Sequence, residues 1–173
     1  MKRNHLSFPV SLALAGFLFL ASSVQSLAVD DVKFACSHHG PMNMNLTLHL
    51  EQGDPQTIVI EGTANSATKW SVTINAQPAA SGNGGDNGDT IKVHSGDTIT
   101  WILTGANHGV AFADKDAANA MLKDLKAGVP LKLEDLTTTL TSSDWVNFGA
   151  NRWGVKKLDA VAGTIIMVTG TVK

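Results

Sequence analysis

The chain has 173 residues and carries 13 basic against 15 acidic side chains, a formal net charge of −2. That length suits one domain with a core of its own, and that charge argues against a nucleic-acid or anionic-membrane surface. A single cysteine excludes an internal disulfide, so stability rests on packing; the chain's large apolar aromatics are four Trp and six Phe, three of these Phe before residue 28.

Residues 1–28 read as a secretory signal. Lys2 and Arg3 form a short basic region, and Leu12 to Leu20 is an apolar run too short to span a bilayer as a mature helix. Ser26-Leu27-Ala28 offers small residues at the two positions a signal peptidase reads. Cleavage after Ala28 leaves 145 residues with 11 basic and 15 acidic side chains, a net charge of −4. The expected location is periplasmic or secreted. Cys36 is a poor lipid-attachment site, because Lys33 and Phe34 precede it and it lies well past the apolar run.

Residues 29–68 read as an N-terminal extension. Its first part, Val29 to Gly40, runs into Pro41 and is followed by Met42-Asn43-Met44. Leu46, Leu48 and Leu50 alternate with Thr47 and His49, which predicts a strand. A turn at Gly53-Asp54-Pro55 separates it from a second strand over Thr57 to Glu61, and the two are expected to pair as a hairpin. Residues 69–173 form the main domain, opening with a strand over Trp70 to Asn75. The Gly-rich stretch 80–89 reads as a flexible loop, since its glycines cost too much entropy to order alone. One imperfect Gly/Asp copy does not make a calcium-binding repeat.

The best-patterned stretch is Ile91 to Phe112. Ile91 and Val93 alternate with Lys92 and His94, Ser95-Gly96-Asp97 turns the chain, and Ile99, Trp101 and Leu103 alternate with Thr98, Thr100 and Ile102. The polar Thr104-Gly105-Ala106-Asn107 follows, then His108-Gly109-Val110-Ala111-Phe112. Period-two alternation broken by Gly/Asp turns predicts antiparallel strands with one face buried. A helix is expected next, capped by Asp114 or Asp116. Its apolar stripe would be Ala118, Met121, Leu122 and Leu125, with Lys123 and Lys126 in the last turn and Gly128 and Pro130 ending it. Leu131 to Leu140 suits an edge strand, Trp145 to Phe148 a short strand, and 149–163 a loop. Thr164 to Val172, apolar on both faces over Ile165 to Val168, suits a central strand.

A strand, a Gly-Asp turn, a Thr-x-x-Trp strand, a short polar loop and Asn-His-x-Val-x-Phe together resemble the first half of a cupredoxin, the plastocyanin-like blue copper domain. The resemblance covers roughly 69–173. It implies an all-β Greek-key β-sandwich, to which this chain adds an N-terminal β-hairpin extension and one inserted helix. It also implies that His108 is a copper ligand. The family takes its Cys, second His and Met from the loop before the last strand. Here that loop, 147–163, holds neither Cys nor His, and Arg152 offers no lone pair at neutral pH. Met167 falls near the family's Met but sits inside the last strand, where core packing is the expected role. A blue site of thiolate, two imidazoles and thioether is therefore not available downstream.

Soft donors lie instead at the front of the chain. Cys36, His38, His39, Met42 and Met44 place a thiol, two imidazoles and two thioethers within nine residues. Thiolates and thioethers favour Cu(I), and imidazoles accept copper or zinc. The expectation is that this segment folds over the loop carrying His108, so that Cys36 and His38 or His39 replace the missing ligands. His49 and His94 hold the polar phase of their strands and are expected to be exposed. No nucleophile elbow, phosphate loop or paired-carboxylate signature appears, so the chain is not read as an enzyme. The function expected is copper binding at a non-blue site, as a carrier or electron-transfer protein with a redox or copper-delivery partner. The alternative is a metal-free binding module that uses Trp145, Trp153 and Arg152 to recognise a protein or small ligand.

Overall fold

The computed structural model describes residues 28–36, 40–63, 69–83, 89–104, 108–112, 114–137, 139–141, 144–147, 153–154 and 165–173. The expected signal over 1–27 lies outside them. The described chain is an all-β sandwich of two six-stranded sheets with one helix. The strands are β1 (Ala28–Cys36), β2 (Gly40–Glu51), β3 (Thr57–Thr63), β4 (Lys69–Ile74), β5 (Gln77–Asn83) and β6 (Thr90–His94). They continue as β7 (Thr98–Thr104), β8 (His108–Phe112), β9 (Leu122–Gly128), β10 (Val146–Asn147), β11 (Trp153–Gly154) and β12 (Ile165–Val172). One sheet runs β10-β11-β8-β1-β2-β6 and the other β5-β4-β3-β7-β12-β9.

Alternation builds the core. Leu46 and Leu48 of β2, Ile91 and Val93 of β6, and Val110 and Phe112 of β8 are buried from the first sheet. Ile58, Ile60, Ile99, Trp101, Leu103, Ile166 and Val168 are buried from the second, all in one cluster. Each such side chain contributes about 1.5–3 kcal/mol when fully removed from water. Trp101 meets Phe112 edge-on across the sheets, with ring centroids 5.8 Å apart at 87°. Met167 is buried, 8% exposed, as its expected packing role requires.

Two expected pairings do not form. The strand at Leu46 to Leu50 belongs to β2 and the one at Thr57 to Glu61 to β3, and they lie in different sheets. The N-terminal hairpin is instead β1 with β2, antiparallel from Ala28↔His49 to Cys36↔Gly40. β6 and β7 likewise are not antiparallel neighbours. The turn at Ser95-Gly96-Asp97 carries the chain from one sheet to the other, and Gly96 supplies the positive φ of 89° it needs. The consequence is two parallel pairs, β2 with β6 and β3 with β7. β3, before residue 68, and β4, after it, are adjacent antiparallel strands.

Asp97 ties the two crossovers together. Its carboxylate, 0% exposed, accepts from the backbone N–H of Gln56 and of His94, both at 2.7 Å. Thr98 N–H donates to the Gln56 carbonyl at 3.1 Å, and Gly96 N–H donates to the Val172 carbonyl at 2.9 Å. One end of the sandwich is therefore closed by backbone and one buried acid.

The helix is shorter than its stripe suggests. It spans Lys115–Met121, capped by Asp114, whose carboxylate accepts from Asp116 N–H at 2.8 Å and Ala117 N–H at 3.0 Å. Leu122, Leu125 and Lys126 belong to β9, not to a helix. Leu122, Leu125 and Ala127 are buried by pairing with β12, which outweighs their helix propensity. A bulge sets Asp124 and Leu125 against Gly170: Asp124 takes φ +54°, and a Cβ on Gly170 would lie 2.7 Å from Leu125 Cδ2. The described residues of Leu131 to Leu140 do not form the expected strand. They hold a 3-10 turn over Leu133–Asp135 and a single bridge, Lys126↔Thr139. Within 80–89, residues 80–83 end β5 rather than forming a loop, and 84–88 lie outside the described residues. Trp153–Gly154, expected in a loop, forms β11 against β8. The end of the expected strand at Phe148 is outside the described residues.

Candidate functional site

Of the soft donors of the N-terminal segment, Cys36 meets His108 through backbone pairing. β1 lies between β8 and β2, and its register against β8 is unbroken from Val32↔Phe112 to Cys36↔His108. The same Cys36 pairs with Gly40 on its other side. Cys36, the last residue of β1, thus sits between the first residue of β8 and the first residue of β2. Directly opposed residues of antiparallel strands lie about 5 Å apart at Cα. The N-terminal segment adds a strand, β1, beside β8, and residues 37–39 and 105–107 lie outside the described residues.

Strand phase places this row further. His108 holds the same phase as Val110 and Phe112, which are buried. Cys36 holds the phase of Phe34 and Val32, their register partners. Met42 is two residues on from Gly40 and pairs with Phe34. Met44 lies in β2 where the register against β1 shifts. His38 and His39, in the tip between β1 and β2, lie outside the described residues. The row sits at the end of the sandwich where β7 finishes and β12 begins, opposite the end closed by Asp97.

The other histidines are not exposed as expected. His49 and His94 are both half-buried. His94 packs on Gly53, where a Cβ would lie 2.5 Å from the ring, and its Nδ1 donates to the Asp54 carbonyl at 2.9 Å. Although Glu51↔His94 and His49↔Lys92 are register neighbours, Glu51 pairs with Lys92 at 3.1 Å. Among the described residues no group of three or more His, Cys, Asp or Glu is placed to hold a metal ion.

The aromatic residues of the alternative reading sit at the far edge of the first sheet. Trp145 is half-buried against Phe112, with ring centroids 5.8 Å apart. Trp153 is half-buried in β11, and Lys115 Nζ lies 4.6 Å from its ring centroid. Such a cation–π contact contributes about 0.5–1 kcal/mol near a surface. Arg152, Asn151 and Asp159 lie outside the described residues.

Two features escaped the sequence. The buried role of Asp97 was hidden because Gly-Asp after Ser95 reads as ordinary turn chemistry. A cleft lies between β5 and β6, which belong to different sheets, and no local signal marks it. Among the described residues no helix is long and apolar enough to cross a membrane. No family model, curated protein or solved structure matches the chain.

Proposed function

We propose that this chain is an exported copper-binding protein with a cupredoxin-like sandwich and a non-blue site, serving as a copper carrier or electron-transfer partner. One observation supports it above the rest: Cys36 and His108, 72 positions apart in the chain, are register partners at one sheet end. A thiolate and an imidazole suit Cu(I). Cys36 and His108 would hold the ion, with His38 or His39 from the adjoining tip, and Met42 and Met44 as auxiliary thioethers. Bound copper would supply one-electron chemistry or travel as cargo to a redox or copper-delivery protein. The lack of Cys and His in 147–163 argues for a site unlike the blue one.

The test is anaerobic Cu(I) titration against a chromophoric chelator. One ion per chain is expected, with Cys36→Ser and His108→Ala each weakening binding at least tenfold and His49→Ala leaving it unchanged. At a hundredfold excess over Kd, copper should add about 2.7 kcal/mol of stability. Unchanged binding in both Cys36→Ser and His108→Ala would defeat this assignment.

A second reading, a metal-free binding module, draws on Trp153 at the sheet edge with Lys115 above its ring. In that reading Trp145, Trp153 and Arg152 contact the ligand, and copper has no effect on folding stability.

A further inference from the structure

β6 is an edge strand of one sheet and β5 an edge strand of the other. Between them lies an open cleft of about 360 Å³, walled by Ile74, Ala79, Ala80 and Ile91, with Asp89, Thr90 and Lys92 along its rim. Backbone groups on a strand edge alternate in direction. In β6 the Lys92 carbonyl accepts from Gln56 Nε2 at 3.3 Å, while His94 N–H donates to Asp97 at 2.7 Å. Both partners lie away from β2, so positions 90, 92 and 94 present their backbone groups to the free edge. Gln56 and Asp97 cover that edge at its far end. The Thr90 N–H and carbonyl and the Lys92 N–H, beside the cleft, have no partner among the described residues. Elsewhere the edges are blunted: Pro78 removes a donor from β5, Leu140 N–H caps the Leu125 carbonyl of β9, and β10 has two residues.

Charge narrows the occupant. Lys92 is neutralised by Glu51 at 3.1 Å, and Asp89 is exposed with no ion pair among the described residues. The rim is therefore net negative.

We propose that this cleft binds an extended, basic peptide segment of a partner protein by adding a short strand to Thr90–Lys92. An added strand would exchange backbone hydrogen bonds with Thr90 and Lys92, which gives affinity without regard to sequence. Small apolar side chains at alternate positions would rest against Ile74, Ala80 and Ile91, and a Lys or Arg would face Asp89. The cleft is independent of the copper row, and loss of either activity leaves the other standing.

The test uses the ¹⁵N-labelled protein and the capped peptide Lys-Val-Thr-Val-Lys. Saturable amide shifts are expected at Thr90 to Lys92 and at Ala79 and Ala80. Lys92→Ala, which keeps the backbone donor and leaves Glu51 unpaired, should bind at least as tightly as the parent, and Lys92→Pro, which removes the donor, should bind at least tenfold more weakly. Should Lys92→Pro misfold, the same peptide N-methylated at alternate amides is titrated into the parent protein, where a tenfold loss is expected. Equal binding by the methylated peptide, no saturable shift at these positions, or the same shifts produced by protein concentration alone would overturn the proposal.

Discussion

Replacing Asp97 by Ala should be among the costliest single changes outside the apolar core. The substitution strands two backbone donors, Gln56 N–H and His94 N–H, each now bonded at 2.7 Å to a carboxylate that is 0% exposed. A buried donor left without a partner costs about 1–3 kcal/mol, and the lower half of that range applies where water can reach the gap. Two donors give a loss of about 3 kcal/mol, which at about 3 °C per kcal/mol lowers Tm by roughly 9 °C. Asp97→Asn keeps one acceptor and should lose about half as much. Gln56→Ala removes only the long side-chain contacts at 3.3 and 3.4 Å, since its backbone donor is retained. It should stay within about 0.5 kcal/mol of the parent. Urea unfolding followed by tryptophan emission measures all three, with m checked for constancy. An Asp97→Ala loss under about 1 kcal/mol, or a Gln56→Ala loss equal to it, refutes the reasoning.

Three further outcomes follow from local geometry. Ala76 holds φ +62° in the turn after β4, so Ala76→Gly should raise stability by about 1 kcal/mol in the same urea assay. Gly82 lies under the Trp70 indole, where a Cβ would come 2.5 Å from Cζ2; Gly82→Val should cost about 1–3 kcal/mol and shift tryptophan emission to the red as the ring is displaced. Asp114→Ala removes the helix cap and should cost about 1 kcal/mol, visible as earlier amide exchange at Asp116 and Ala117.

The strands themselves were legible where alternation was strict. Ile91 and Val93, then Ile99, Trp101 and Leu103, are buried as their phase demands, and β12 is the central strand that its double-sided apolar run suggested. What alternation does not carry is the identity of a strand's neighbour. Thr57 to Glu61 pairs with β4 and β7 and not with Leu46 to Leu50, because Gln52 to Gln56 crosses between sheets instead of reversing within one. The helix boundary failed for a related reason. Leu122 and Leu125 continue a helical stripe, yet the free edge of β12 offers more hydrogen bonds to an extended chain than one more helical turn does. For the candidate site, the residue types at Cys36 and His108 were readable and their adjacency was not, since it depends on β1 choosing β8 as its neighbour.

The placement of β12 has a consequence for how the protein is made. Residues 165–172 fill an interior slot of a sheet, between β7 and β9, so β7 has only β3 beside it and β9 lacks its strand partner until the last eight strand residues exist. At about 5–20 residues per second on the ribosome, the polypeptide waits several seconds with that slot open. Closure then depends on contacts distant in the chain, which form slowly. Shortening the C-terminus by even a few positions before Val172 should therefore leave a split, sticky sheet and not a trimmed version of the same molecule.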